Sequence, residues 1–204
     1  MDIKALQLAS RFSLSPNALG YCGRKSAVKK LKRCIDKGKC AGVEQELKKF
    51  IVLYPYLRTI SEITGLPEFD YRVIEAYWLG NDLLKQVRAK HYAILLKNFA
   101  KQGVPKWLIE ELKQKKPRVF IPNHVFQVTH VGVGKASGSV PYNKETINNC
   151  LITINKKGGQ TVARHWGKEV KILTSLEEKN LLFWTKKVLK TQFPEALQEI
   201  VGTK

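Results

Sequence analysis

Four side chains in the second half of the chain are suited to soft-metal or nucleophilic chemistry: the thiol of Cys150 and the imidazoles of His124, His130 and His165. An imidazolium beside a thiol lowers its pKa, and the thiolate is then available as a soft ligand or as a nucleophile. The local spacing brings one such pair together. Residues 149–154 alternate as a strand, Lys156-Lys157-Gly158-Gly159 reads as a turn, and residues 160–166 read as the returning strand. A hairpin closed on Lys157-Gly158 pairs Lys156 with Gly159 and sets Cys150 directly across from His165, Cβ atoms about 5 Å apart. A four-residue loop pairing Asn155 with Gln160 keeps that register, whereas a three- or five-residue loop breaks it. His124 and His130 share one face of the alternating stretch 122–131. In an unbroken strand they lie ~20 Å apart at ~3.3 Å per residue, so they cannot share one metal unless the strand bends.

The positive charge offers a different chemistry. The chain of 204 residues carries 36 basic and 17 acidic residues, a net charge of +19. Such an excess attracts polyanions. Its densest part is Arg24, Lys25, Lys29, Lys30, Lys32, Arg33, Lys37 and Lys39, with Asp36 the one acid among them. Helical spacing of Val28, Leu31, Cys34 and Ile35 turns most of these cations outward. A phosphate-tracking face and an ordinary solvated helix surface are both compatible with this pattern. No aromatic residue interleaves with the lysines, which argues against base stacking on the helix itself. Lysines outnumber arginines 28 to 8, so bidentate base reading is not the signature here. Gly132-Val133-Gly134-Lys135-Ala136-Ser137-Gly138 invites a phosphate-loop reading and fails it: Thr129 stands where the first glycine is needed and no hydroxyl directly follows Lys135.

The elements that position these groups divide at about residue 117. Residues 1–117 read as a helical domain, with helices over 2–12, 26–37, 43–54, 56–64, 71–87, 88–102 and 105–116. Ser15-Pro16-Asn17 reads as a loop, and Gly38 and Gly65 as helix stops. The 71–87 helix is apolar around most of its circumference, so Glu75, Asn81 and Asp82 need partners there; an arginine such as Arg72 or Arg58 is the expected one for Glu75. Residues 118–204 read as a small β-sheet unit with a C-terminal helix packed on it, opened by the capping box Thr174-x-x-Glu177. The expected class is α+β: a multi-helix N-terminal domain, a small antiparallel sheet and a closing helix. Cys22, Cys34, Cys40 and Cys150 fit neither a zinc spacing nor a disulfide framework. They read as free thiols of a cytoplasmic protein. No apolar run reaches the ~18 residues of a membrane span, and Met1-Asp2-Ile3-Lys4 begins no signal peptide.

Four motifs together resemble an uncharacterised prokaryotic family of unknown function. They are Leu53-Tyr54-Pro55-Tyr56-Leu57, Phe69-Asp70-Tyr71-Arg72-Val73-Ile74-Glu75-Ala76-Tyr77-Trp78-Leu79-Gly80-Asn81, Pro122-Asn123-His124-Val125-Phe126, and Asn149-Cys150 with His165-Trp166. That family carries a histidine-rich run at the third motif, where this chain keeps His124 and has Asn123 and Gln127; the resemblance makes His124 a candidate ligand. Residues 150–189 are also similar to the small chaperone of nickel–iron hydrogenase assembly. That similarity implies Cys150 as a ligand of a transiently held iron, His165 as its neighbour, and a metalloenzyme subunit or assembly factor as partner.

Three readings follow. The first is a non-enzymatic accessory protein of metalloenzyme maturation, working through Cys150 and His165. The second is an RNA- or DNA-binding protein using the 24–39 cations. The third is an enzyme with Cys150 as nucleophile, His165 as base and Glu75 or Asp82 as helper, for which no motif supplies an oxyanion hole. No residue is assigned a catalytic role.

Overall fold

The computed structural model describes residues 2–20, 23–115 and 152–192. The first helix, α1 (Ile3–Ala18), opens on Asp2, whose Oδ1 accepts from the Ala5 N–H at 3.1 Å. It runs through the expected loop, with Pro16 inside its last turn. A 3₁₀ turn (Lys25–Ala27) leads into α2 (Val28–Lys37). Gly38 closes α2 at φ 64°, its N–H donating to the Cys34 carbonyl, in the left-handed conformation glycine adopts most cheaply.

The 43–54 helix is in fact two pieces. Helix α3 (Val43–Leu47) ends in a turn, and α4 (Leu53–Thr64) takes Pro55 into its first turn. There the missing proline N–H has no helical partner to lose. Helix α5 (Tyr71–Trp78) starts on Asp70, which accepts from the Arg72 N–H, and stops well short of residue 87. Gly80 takes φ 80°, and Asn81 caps a 3₁₀ segment (Asp82–Gln86) through the Leu83 N–H. A Cβ on Gly80 would collide with the Trp184 indole, so the break at Gly80 is also where the last helix docks. Helices α6 (Tyr92–Lys101) and α7 (Lys106–Lys115) complete the helical part.

Strands β1 (Thr153–Lys157), β2 (Gln160–His165) and β3 (Lys168–Leu173) form an antiparallel sheet in the order β1-β2-β3. The expected register is corrected: Lys157 pairs with Gln160 and Thr153 with Arg164. The turn is Gly158-Gly159, both at positive φ (55° and 77°), the geometry that two-residue hairpins with right-handed twist require. Centring it on Lys157-Gly158 would put lysine where φ must be positive. The ladder extended one step thus places Ile152, not Cys150, opposite His165. The second hairpin turns on Trp166-Gly167, also at positive φ (52° and 70°). Tryptophan is unusual there, so the third strand carries no ordinary turn signal.

The capping box opens α8 (Ser175–Gln192): Glu177 Oε2 accepts from the Thr174 N–H at 2.8 Å, and the Glu177 N–H donates to Thr174 Oγ1 at 3.2 Å. Fold class is α+β: a mostly helical N-terminal region, a small antiparallel sheet and a closing helix. Buried residues of both parts, from Leu6, Leu31, Tyr56 and Ile74 to Ala163, Leu173 and Trp184, form one hydrophobic core. Among the described residues, no helix is long and apolar enough to cross a membrane.

Candidate functional site

His165, the imidazole of the expected thiol–imidazole pair, is 1% exposed. Its ring lies edge-on to Trp78, centroids 5.4 Å apart, and 6.0 Å from the Phe12 ring, which itself stacks on Trp78. Nδ1 sits 2.7 Å from the Phe12 carbonyl oxygen. A carbonyl can only accept, so Nδ1 carries the proton. Phe12 lies four residues before Pro16, so its carbonyl is the one that the proline, lacking an N–H, leaves without a helical donor. His165 supplies that donor from β2, and joins the sheet to α1 where the helix is weakest. No sequence pattern pointed to this bond, because its partners are 153 residues apart. Cys150, His124, His130, Cys22 and the 132–138 segment lie outside the described residues. Among the described residues, no group of three or more His, Cys, Asp or Glu side chains is placed to hold a metal ion.

The carboxylates weighed as catalytic helpers have other partners. Glu75 Oε2 accepts from Asn81 Nδ2 at 2.7 Å, and the same amide donates to the Arg72 carbonyl at 2.9 Å. The expected arginine partner is thus replaced by Asn81, while Arg58 lies 3.8 Å from Glu68. Burial holds the Glu75 carboxyl above its ordinary range, opposed by the Asn81 hydrogen bond. Asp82 is at the surface, 2.7 Å from Lys85.

The cations of 24–39 are all eight exposed. Leu31 and Cys34 bury one side of α2 while Lys29, Lys32, Arg33 and Lys37 occupy the other. Of the eight, Lys30 is the one that meets a described carboxylate, Glu46, at 2.6 Å. That pair ties α2 to α3, and Lys49 approaches the same carboxylate at 3.1 Å. Their hydrogen bonds, Lys30 first, hold Glu46 below the ordinary carboxyl range. The far end of α2 is fastened covalently. Cys34 and Cys40 form a disulfide, both residues buried, which corrects the free-thiol expectation for these two. The left-handed turn at Gly38 folds the chain back and brings their Cα atoms to 4.4 Å. A six-residue spacing gives no hint of that turn's direction.

A second positive surface adjoins the first. Gln7 of α1 donates to the Cys34 carbonyl at 3.2 Å, and its side chain also lines a cleft of about 420 Å³ between α1 and β3. Lys4, Arg11 and Lys171 are on the walls of this cleft, with Leu8, Val170 and Ile172 as its apolar part and Tyr71 beside them. Helical phase places Lys4 and Arg11 on one face of α1, a signal present in the sequence; the β3 wall was hidden with its strand.

A family described as one of unknown function, DUF6390, matches residues 2–133. The chain belongs to the DUF6390 family. The matched DUF6390 region takes in α1 to α7, and so the basic face of α2 and the 69–81 motif with Tyr71 and Glu75; it stops short of the hairpin. The similarity of residues 150–189 to a hydrogenase-assembly chaperone gains no support from it. No curated protein and no solved structure matches the chain.

Proposed function

We propose that the protein binds nucleic acid through the phosphate backbone, with the exposed face of α2 as its main contact. The observation that carries this reading is the uncompensated charge there: Arg24, Lys25, Lys29, Lys32, Arg33, Lys37 and Lys39 are exposed and have no carboxylate partner among the described residues. The one acid of the stretch is Asp36, exposed among them. The face is also held rigid, by the Lys30–Glu46 pair and the Cys34–Cys40 bond, and a preorganised charge array loses less entropy on binding.

The accessory reading through Cys150, His165 and His124 rests on residues outside the described part, except His165, whose Nδ1–H is committed to Phe12. Nothing in the described geometry favours it over the charge array.

The test is equilibrium binding of a labelled 20-nucleotide oligomer as salt is raised from 50 to 200 mM. Phosphate neutralisation by several lysines predicts a loss of about 10² or more over that range. Charge reversal at Lys29, Lys32 and Arg33 together should weaken binding at least tenfold and flatten the salt slope. Binding that is absent, or indifferent to both salt and these substitutions, overturns the proposal.

A further inference from the structure

We infer that the cleft between α1 and β3 seats an unpaired base of the bound strand, so that the nucleic acid recognised is single-stranded. The inference rests on the reading above and adds to it what α2 lacks. A lysine-covered helix can follow phosphates but offers no surface to a base. The cleft offers one. Ile172, 57% exposed, is its main apolar surface, with the largely buried Leu8 and Val170 and with Tyr71 also lining it. At about 420 Å³ it lies within the ~300–1,000 Å³ range of sites that take small organic groups.

Its rim is positive. Lys4 and Arg11 are exposed and have no carboxylate partner among the described residues, whereas Lys171 is bound to Glu177 at 3.1 Å. The charge available to a flanking phosphate is therefore that of Lys4 and Arg11. The cleft lies next to α2: Gln7 lines it and donates to the Cys34 carbonyl of α2.

Asp2 ties the start of α1 to the start of α5 beside the cleft. Its Oδ1 accepts from Ala5 in α1 and its Oδ2 from the Tyr71 N–H at 3.2 Å. Burial, with Glu177, Glu75 and Asp2 nearby, pushes the Tyr71 phenol up to about 12, so it is a neutral hydrogen-bond donor at neutral pH. A tyrosine and an exposed isoleucine beside two cations that have no carboxylate partner among the described residues fit a base with its adjoining phosphate. A duplex keeps its base faces stacked inside and cannot use the apolar part.

The experiment compares the full-length protein on a labelled 20-nucleotide single strand, made as RNA and as DNA, with the matching duplexes at one salt concentration. The single strand should bind about tenfold or more tighter in at least one sugar series, the scale of one base stacked on an aromatic side chain. Arg11→Gln with Ile172→Ser changes two exposed side chains, so it leaves the fold intact, which a melting curve verifies. It should abolish the preference by weakening the single strand far more than the duplex. Charge reversal on α2 should weaken both forms alike. If single strand and duplex bind equally, or the cleft substitutions leave the preference intact, the inference falls while the α2 reading stands. If the α2 substitutions change neither affinity, the α2 reading itself falls.

Discussion

At the scale of single residues, the most informative bond is His165 Nδ1–H to the Phe12 carbonyl. A buried carbonyl left without a donor costs roughly 1–3 kcal/mol, and truncating a buried ring adds a cavity term. His165→Ala is therefore expected to destabilise the protein by about 2–4 kcal/mol, measured as a fall in the urea midpoint with an unchanged m-value. The Pro16→Ala background should soften that loss, because residue 16 then has an N–H for Phe12. Additive losses in the double variant would show that the two residues do not share the carbonyl. Gly80→Ala tests the docking of α8: positive φ and the Trp184 ring leave no room for a methyl group, and a loss of about 1–3 kcal/mol is expected from the same measurement. Glu46 sets a pH dependence. Its folded pKa is depressed by Lys30 and Lys49, so its contribution is present above the unfolded carboxyl pKa, ~4.3, and is lost as pH falls through the folded value. Stability profiles of wild type and Glu46→Gln should converge toward the acid end. A constant difference from pH 7 to pH 2 would contradict this role.

At the scale of elements, the charge array depends on α2 being held at both ends. The Cys34–Cys40 bond closes a short loop, and loop-closure entropy assigns it about 2 kcal/mol. Reduction should lower the melting temperature by several degrees, and intact-mass analysis of denatured, unreduced protein should find these two thiols protected from alkylation. Full alkylation without reductant would contradict the bond. Much of the element plan was legible in the chain, because it rests on local rules: Gly38 and Gly65 as left-handed stops, Thr174 and Glu177 as a capping box. Several of the misread elements turned on proline or on backbone sign. Pro16 stays helical because a histidine from another element replaces the lost donor, and Pro55 because it falls in a first turn. The hairpin register shifted because both turn positions need positive φ, which Gly158-Gly159 meets and Lys157-Gly158 does not. The disulfide and the α1/β3 cleft are long-range or chain-reversing features, which residue periodicity does not encode.

At the scale of the whole molecule, a net charge of +19 over 204 residues is densest along residues 24–39. Gln7 links the Lys4–Arg11 face of α1 to the last turn of α2, and both helices lie in the region matched by the DUF6390 family. The candidate site could be read from the sequence as far as α2, since eight basic residues and one acid in one helical span are visible without a structure. What the fold adds is that seven of these cations have no described carboxylate opposite them, and that His165, named for a metal, is bonded into the core. The measurement that bears most directly on this account is the salt dependence of oligonucleotide binding by wild type and by the variant reversed at Lys29, Lys32 and Arg33. The account predicts a steep, linear fall of log affinity with log salt, and a weaker, flatter line for the variant. Two superimposable lines, or no binding at 50 mM salt, would contradict it.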